Sequence, residues 1–193
     1  MSFSENSVDR KQVQKWINRL TSASPAAQFR AVSEMGRQAV RTRGAVRTRG
    51  AVLTPAPAEV PEPLETALES LLHNTSEDLR REVAYALGGL GGPASVAPLC
   101  HLALQDSQAR VRAEAVSALG KIGGREAMDT LLRAACEDGD ETVRAEAVDA
   151  LGGLIATAAP PDEAQEIRDC LHRVAQTDLS PYVRERAAKM GAA

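Results

Sequence analysis

The segment VRAEAVSALGKIGG, beginning at Val111, returns as VRAEAVDALGGL at Val143, 32 residues later. A period of this length constrains a chain to stacked supersecondary units, each too small to bury its apolar face alone. The same interval toward the N-terminus reaches Leu79 in EDLRREVAYALGGLGG. An interval of 40 residues beyond Val143 reaches Val183 in SPYVRERAAKMG. The eight extra residues fall in ATAAPPDE, where Pro160 and Pro161 interrupt any helix.

Within a unit, Val111, Ala115, Ala118, Leu119 and Ile122 share one face at helical spacing, the stripe of an amphipathic helix. Ser76, Asp140 and Ser180 stand at its N-cap position, with Pro181 following, whereas Gln108 in the second unit is a poor cap. Gly91–Gly92 and Gly123–Gly124 supply turns able to take left-handed backbone angles. A first helix precedes the stripe, as in REAMDTLLRAACED, with Ala127, Leu131, Leu132 and Ala135 inward. Each unit is therefore a helical hairpin, and Ala86, Ala118 and Ala150 are expected where stacked helices approach closely. Aromatics make up only 3% of the chain, which suits a thin core of Ala, Val and Leu. The expected fold is all-α, an α-solenoid of about five stacked hairpins, four of them near residues 62–92, 93–124, 125–159 and 160–193.

A polar column recurs as well. Asn74, Asp106, Asp138 and Asp178 each precede Arg80, Arg112, Arg144 and Arg184 by six residues. An acid in the hairpin turn and a planar guanidinium on the next helix are suited to a ladder of hydrogen bonds between successive units. This D-x5-R spacing followed by E-A-V-x-A-L-G resembles the HEAT-like repeat of the phycobilisome-lyase type over residues 62–193. The resemblance implies that second helices line a concave surface and that the ladder ties the units together. In the last unit Arg186 stands for Glu and KMG for ALG, as expected of a capping repeat.

The N-terminal part is less regular. Val13, Ile17 and Leu20 with Trp16, followed by AAQFRAVSEMG, read as a degenerate hairpin within residues 1–37. Residues 38–61 then read as an Arg-rich and Pro-rich loop, containing the hexamer RTRGAV twice. Residues 1–50 carry ten Lys/Arg against three Asp/Glu, so the remainder, with 13 against 23, is acidic. The arm Arg37, Arg41, Arg43, Arg47 and Arg49 suits phosphate, but it lacks aromatics for base stacking.

Catalytic chemistry finds little material. Deoxyhypusine hydroxylase, similar in repeat type, implies His-Glu pairs on second helices; here those slots hold Arg81–Glu82, Ala113–Glu114 and Ala145–Glu146. No metal site and no cofactor is expected. His73, His101 and His172 share no column, and Cys100 and Cys136 fall in apolar core columns. The bilin lyases of the resembling family imply a grip on a conjugated pigment, for which Tyr85 is the lone aromatic of the concave row.

The expectation is therefore a non-enzymatic scaffold binding a protein segment in its concave groove. The groove positions are Arg81, Glu82, Tyr85, Glu114, Ser117, Glu146, Asp149 and Lys189, and its acidic row Glu82–Glu114–Glu146 favours a basic or helical partner. The alternatives are a bilin-lyase-like accessory role on a protein-bound chromophore and nucleic-acid binding through the basic arm. No apolar run is long enough for a membrane span, and the N-terminus does not read as a signal peptide. Three scattered cysteines suit a reducing compartment, so the expected location is the cytoplasm. High Ala, Arg and Gly usage suggests a bacterial source.

Overall fold

The computed structural model describes residues 10–47, 62–90, 92–156 and 160–191. Among these it holds ten α-helices and no strand. They are α1 (Arg10–Leu20), α2 (Pro25–Arg47), α3 (Glu62–Leu71), α4 (Glu77–Leu90), α5 (Val96–Gln105), α6 (Ala109–Ile122), α7 (Arg125–Glu137), α8 (Glu141–Ala156), α9 (Pro161–Thr177) and α10 (Pro181–Gly191). The described residues are thus all-α and form five helical hairpins. They fall into two compact units divided between Ser95 and Val96.

The first unit contains the hairpins α1–α2 and α3–α4, with α2 lying along α4. Its interior is Trp16, Leu20, Val32, Met35, Leu64, Leu68, Leu79, Val83 and Leu87, all at most 2% exposed. Helix α2 reaches Arg47, so residues 38–47 are helix and not the loop expected from residue 38. The reason is local propensity: after Gly36 the chain runs RQAVRTRGAVR, rich in helix formers and free of proline until Pro55. One interior glycine, Gly44, costs only about 1 kcal/mol against alanine and does not stop the helix. The Pro-rich half of the expected loop lies outside the described residues.

The second unit stacks three hairpins. Second helices α6, α8 and α10 pack side by side in that order, and first helices α5, α7 and α9 do the same. The stripe residues Val111, Ala115, Ala118 and Leu119 are fully buried, as are Val143, Ala147 and Leu151 in the next repeat. Ile122 and Leu132, expected inward, are only half-buried because they sit at the rim of their stripes. Gly123 and Gly124 take φ of 75° and 92°, reversing the chain between α6 and α7. Pro161 opens α9, the position where its missing N–H has no helical partner to lose.

Close helix approach depends on glycine. A Cβ added to Gly120 on α6 would lie 2.6 Å from the Ala150 Cβ on α8. One repeat later, a Cβ on Gly152 would lie 2.7 Å from Met190 Sδ on α10. In the first unit, a Cβ on Gly36 of α2 would lie 2.7 Å from the Tyr85 ring on α4. Ala86 and Ala150 are thus contact points, each facing a glycine on the neighbouring helix.

Candidate functional site

The turn before each second helix is built by an Asx side chain. The Asn74, Asp106, Asp138 and Asp178 Oδ1 atoms accept the backbone N–H two residues ahead, at 2.8–2.9 Å. Such local acceptors hold the turn and orient the second carboxylate oxygen outward from it. Arg112 on α6 donates from Nε and Nη2 to the Asp138 carboxylate, both at 2.8 Å, and from Nη1 to the Asp106 carbonyl at 2.9 Å. Arg144 on α8 repeats the pattern with Asp178 at 2.7 and 3.0 Å and the Asp138 carbonyl at 2.9 Å. Each guanidinium therefore closes its own turn and reaches the acid of the next one.

These pairs are secluded: Asp138 and Asp178 side chains are 8% and 6% exposed, Arg112 and Arg144 16% and 11%. Hydrogen bonding to Asp138 and Asp178 pushes the two arginines above their ordinary values. The Arg144 bond, with the Ser180 N–H, holds Asp178 below the usual carboxylate range. In the last repeat Arg184 donates from Nη1 to the Asp178 and Leu179 carbonyls at 2.7 and 3.3 Å. In the first, Arg80 donates from Nη1 to the Asn74 carbonyl at 2.8 Å.

The expected groove residues divide by what they touch. Asp149 on α8 accepts from Arg186 Nε at 2.9 Å and from Arg186 Nη2, a bidentate pair between α8 and α10. The same guanidinium donates to the Tyr182 hydroxyl at 2.6 Å. Asp149 is thereby committed within the fold, and Arg186, which stands for Glu in the last repeat, ties α8 to α10. Tyr85 lies half-buried with its ring against Gly36, a packing role in the first unit. Arg81 sits 3.6 Å from Asp78 one turn earlier. Ser117 is half-buried and Lys189 exposed.

Glu82, Glu114 and Glu146 are half-buried. Glu114 and Glu146 occupy one column on the adjacent helices α6 and α8. Among the described residues, neither Glu82 nor Glu146 has a hydrogen-bond or ion-pair partner. A half-buried carboxylate with unfilled acceptor capacity is suited to an arriving cation.

Of the two cysteines read as core, Cys136 departs from that reading. Cys100 and Cys170 are buried, but Cys136 is exposed, because the C-terminal end of α7 turns its column toward solvent. The Cys136 and Cys170 sulfurs lie 3.5 Å apart. Neither this contact nor the glycine column was apparent at the level of single motifs; Gly120 and Gly152 share one position of successive repeats, whereas Cys136 and Cys170 do not. The 92% exposed Leu179 was also missed, where Thr75, Ser107 and Gly139 stand in the other turns.

Of the basic arm, Arg37 is exposed on α2, and Arg41, Arg43 and Arg47 lie further along the same helix. Arg49 lies outside the described residues. The arm is helical through Arg47, contrary to the expected flexible comb. Among the described residues no group of three or more His, Cys, Asp or Glu is placed to hold a metal ion. No helix there is long and apolar enough to cross a membrane.

Comparison with known proteins follows the same lines. Residues 64–152 match the family described as HEAT repeats. No curated protein matches the sequence. Among solved structures, a chain of the complex of CpcE and CpcF of phycocyanin lyase from Nostoc sp. PCC7120 superposes with a TM-score of 0.65 at 19% identity, covering 94% of this chain and 99% of that one. A designed armadillo repeat protein in complex with the peptide (KR)4 gives 0.61 at 20% identity, over 96% and 86% of the two chains. Computationally designed armadillo repeat proteins for modular peptide recognition give 0.58 at 18%, over 94% and 85%. All three are helical-repeat solenoids, the fold class of this protein.

Proposed function

Because residues 64–152 match the HEAT-repeat family within a helical-repeat solenoid fold, we propose that this protein is a non-enzymatic scaffold that binds a segment of another protein. The observation that carries the reading is the Glu146 carboxylate, half-buried and without a partner beside Glu114 in the same column. A carboxylate placed this way favours a Lys or Arg side chain, since a charge-assisted hydrogen bond there replaces lost solvation. A designed repeat protein of similar fold is seen with the basic peptide (KR)4, which supports basic chemistry in the bound segment. Free cysteines throughout suit work in the cytoplasm, where thiols stay reduced.

The test is a fluorescence-anisotropy titration of a labelled Lys-Arg repeat octapeptide, with a Glu-Asp octapeptide as control. Saturable binding of the basic peptide, weakened at least tenfold in Glu146→Lys with an unchanged circular dichroism spectrum, supports the assignment. Equal binding by the variant removes Glu146 from the site. A second reading, an accessory role on a protein-bound chromophore like that of a bilin lyase, draws on the near-complete coverage of the phycocyanin lyase chain. It predicts a shift in bilin absorbance on mixing with a pigment-bearing protein.

A further inference from the structure

We propose that Cys136 and Cys170 form an oxidation-sensitive dithiol, a modification site that a hydroperoxide converts to a disulfide joining α7 to α9. The two sit on the first helices of consecutive hairpins, with sulfurs 3.5 Å apart, in van der Waals contact. A disulfide needs a separation of about 2.05 Å, so the sulfurs must close by about 1.5 Å. Side-chain rotation at Cys136, on the solvent side of α7, is the natural source of that motion.

The pair is asymmetric in a way that sets the order of events. Cys136 is exposed and meets the reagent first. Cys170 is 3% exposed, its sulfur 4.0 Å from the Leu132 carbonyl. Burial, together with the neighbouring Cys136, pushes its thiol up to about 12, so it is a poor first nucleophile. Arg173 opposes that rise and Glu166 adds to it, both on α9. Cys100 is buried with its sulfur 3.8 Å from the Glu126 carbonyl and has no thiol among its contacts.

In the first step the deprotonated Cys136 sulfur attacks one peroxide oxygen. The O–O bond breaks, Cys136 becomes a sulfenic acid, and the released hydroxide takes a proton to leave as water. In the second, the Cys170 sulfur attacks the Cys136 sulfur and displaces hydroxide, which takes the Cys170 proton. Two thiols and one hydroperoxide thus give one disulfide and two waters when the oxidant is hydrogen peroxide. The contact between the sulfurs makes the second step intramolecular, which offsets the low acidity of Cys170. A thiol reductant reverses the bond by exchange.

The experiment treats the intact, reduced protein with equimolar hydrogen peroxide and maps it by non-reducing tryptic mass spectrometry. The expected result is a cross-linked pair of the peptides 134–144 and 169–173, released by dithiothreitol, with free thiols falling from three per chain to one. Cys170→Ser is expected to hold Cys136 as a sulfenic acid that dimedone traps, with no cross-link. Wild type that accumulates sulfinic acid at Cys136 without the cross-link, or that forms only interchain Cys136–Cys136 bonds, overturns the proposal. The wild-type map alone decides the question, whatever the stability of the variant.

Discussion

Replacing Gly120 by alanine isolates the contact that spaces the second unit. On an open helix the change stabilises by about 1 kcal/mol, because alanine has the higher helix propensity. At Gly120 the new methyl would lie 2.6 Å from Ala150 Cβ and 3.2 Å from Ala150 Cα. Carbon atoms rest at about 3.5–4.0 Å, so α6 and α8 must separate by roughly an ångström. Ala150 has no longer side chain to swing aside, and overpacking of this kind costs about 1–3 kcal/mol. The net expectation is a destabilisation between about zero and 2 kcal/mol. Gly153 on α8 supplies the control, since nothing stands within 4 Å of an added Cβ there. Gly153→Ala should therefore stabilise by up to about 1 kcal/mol. Gly152→Ala faces the flexible Met190 at 2.7–3.1 Å and should fall between the two. Urea unfolding followed by far-ultraviolet circular dichroism orders the three midpoints. A Gly120→Ala midpoint that rises as far as that of Gly153→Ala refutes the close approach of α6 and α8.

Three further outcomes follow from the interior of the second unit. Asp178→Asn leaves Arg144 with a neutral acceptor and should cost about 1.5–3 kcal/mol at neutral pH. Because Arg144 holds Asp178 below the ordinary carboxylate value, that stabilisation is present above about pH 4 and lost as pH falls through the depressed value. The gap between wild type and variant in urea midpoints should thus close on acidification, and a gap constant to pH 2 contradicts the pairing. Ala118→Leu, at a position 0% exposed, should lower stability by about 1–3 kcal/mol in the same assay. Asp149→Arg removes the acceptor of Arg186 and sets two cations together, so loss of thermal stability is expected even where no partner is present.

How much of this was legible depends on which residues repeat. Val111, Val143 and Val183 recur with their stripes, so helix identity, hairpin pairing and buried columns follow from the sequence. The turn at Gly123 and Gly124 was legible because the paired glycines follow the end of the apolar stripe, where a left-handed backbone closes a helix. The acid–arginine spacing is visible too, although which acid each arginine reaches is a matter of stacking: Arg112 takes the carboxylate of Asp138, 26 residues on, and only the carbonyl of Asp106. The length of α2 was hidden because RTRGAVRTRGAV carries no apolar period, and propensity alone extends that helix. The fate of Asp149 was hidden because its partner, Arg186, occupies the glutamate column of other repeats, where it reads as the mark of a capping repeat. Side-chain pairing across 37 residues is a property of the stack and has no local signature.

The most direct test of the scaffold reading is affinity capture from source-cell lysate with and without nuclease, comparing wild type with a Glu114→Arg, Glu146→Arg variant of unchanged helicity. The account predicts a stoichiometric protein partner that survives nuclease, carries a basic segment, and is lost from the variant. Capture of nucleic acid, retained by the variant, would contradict it and move the function to the arginines of α2.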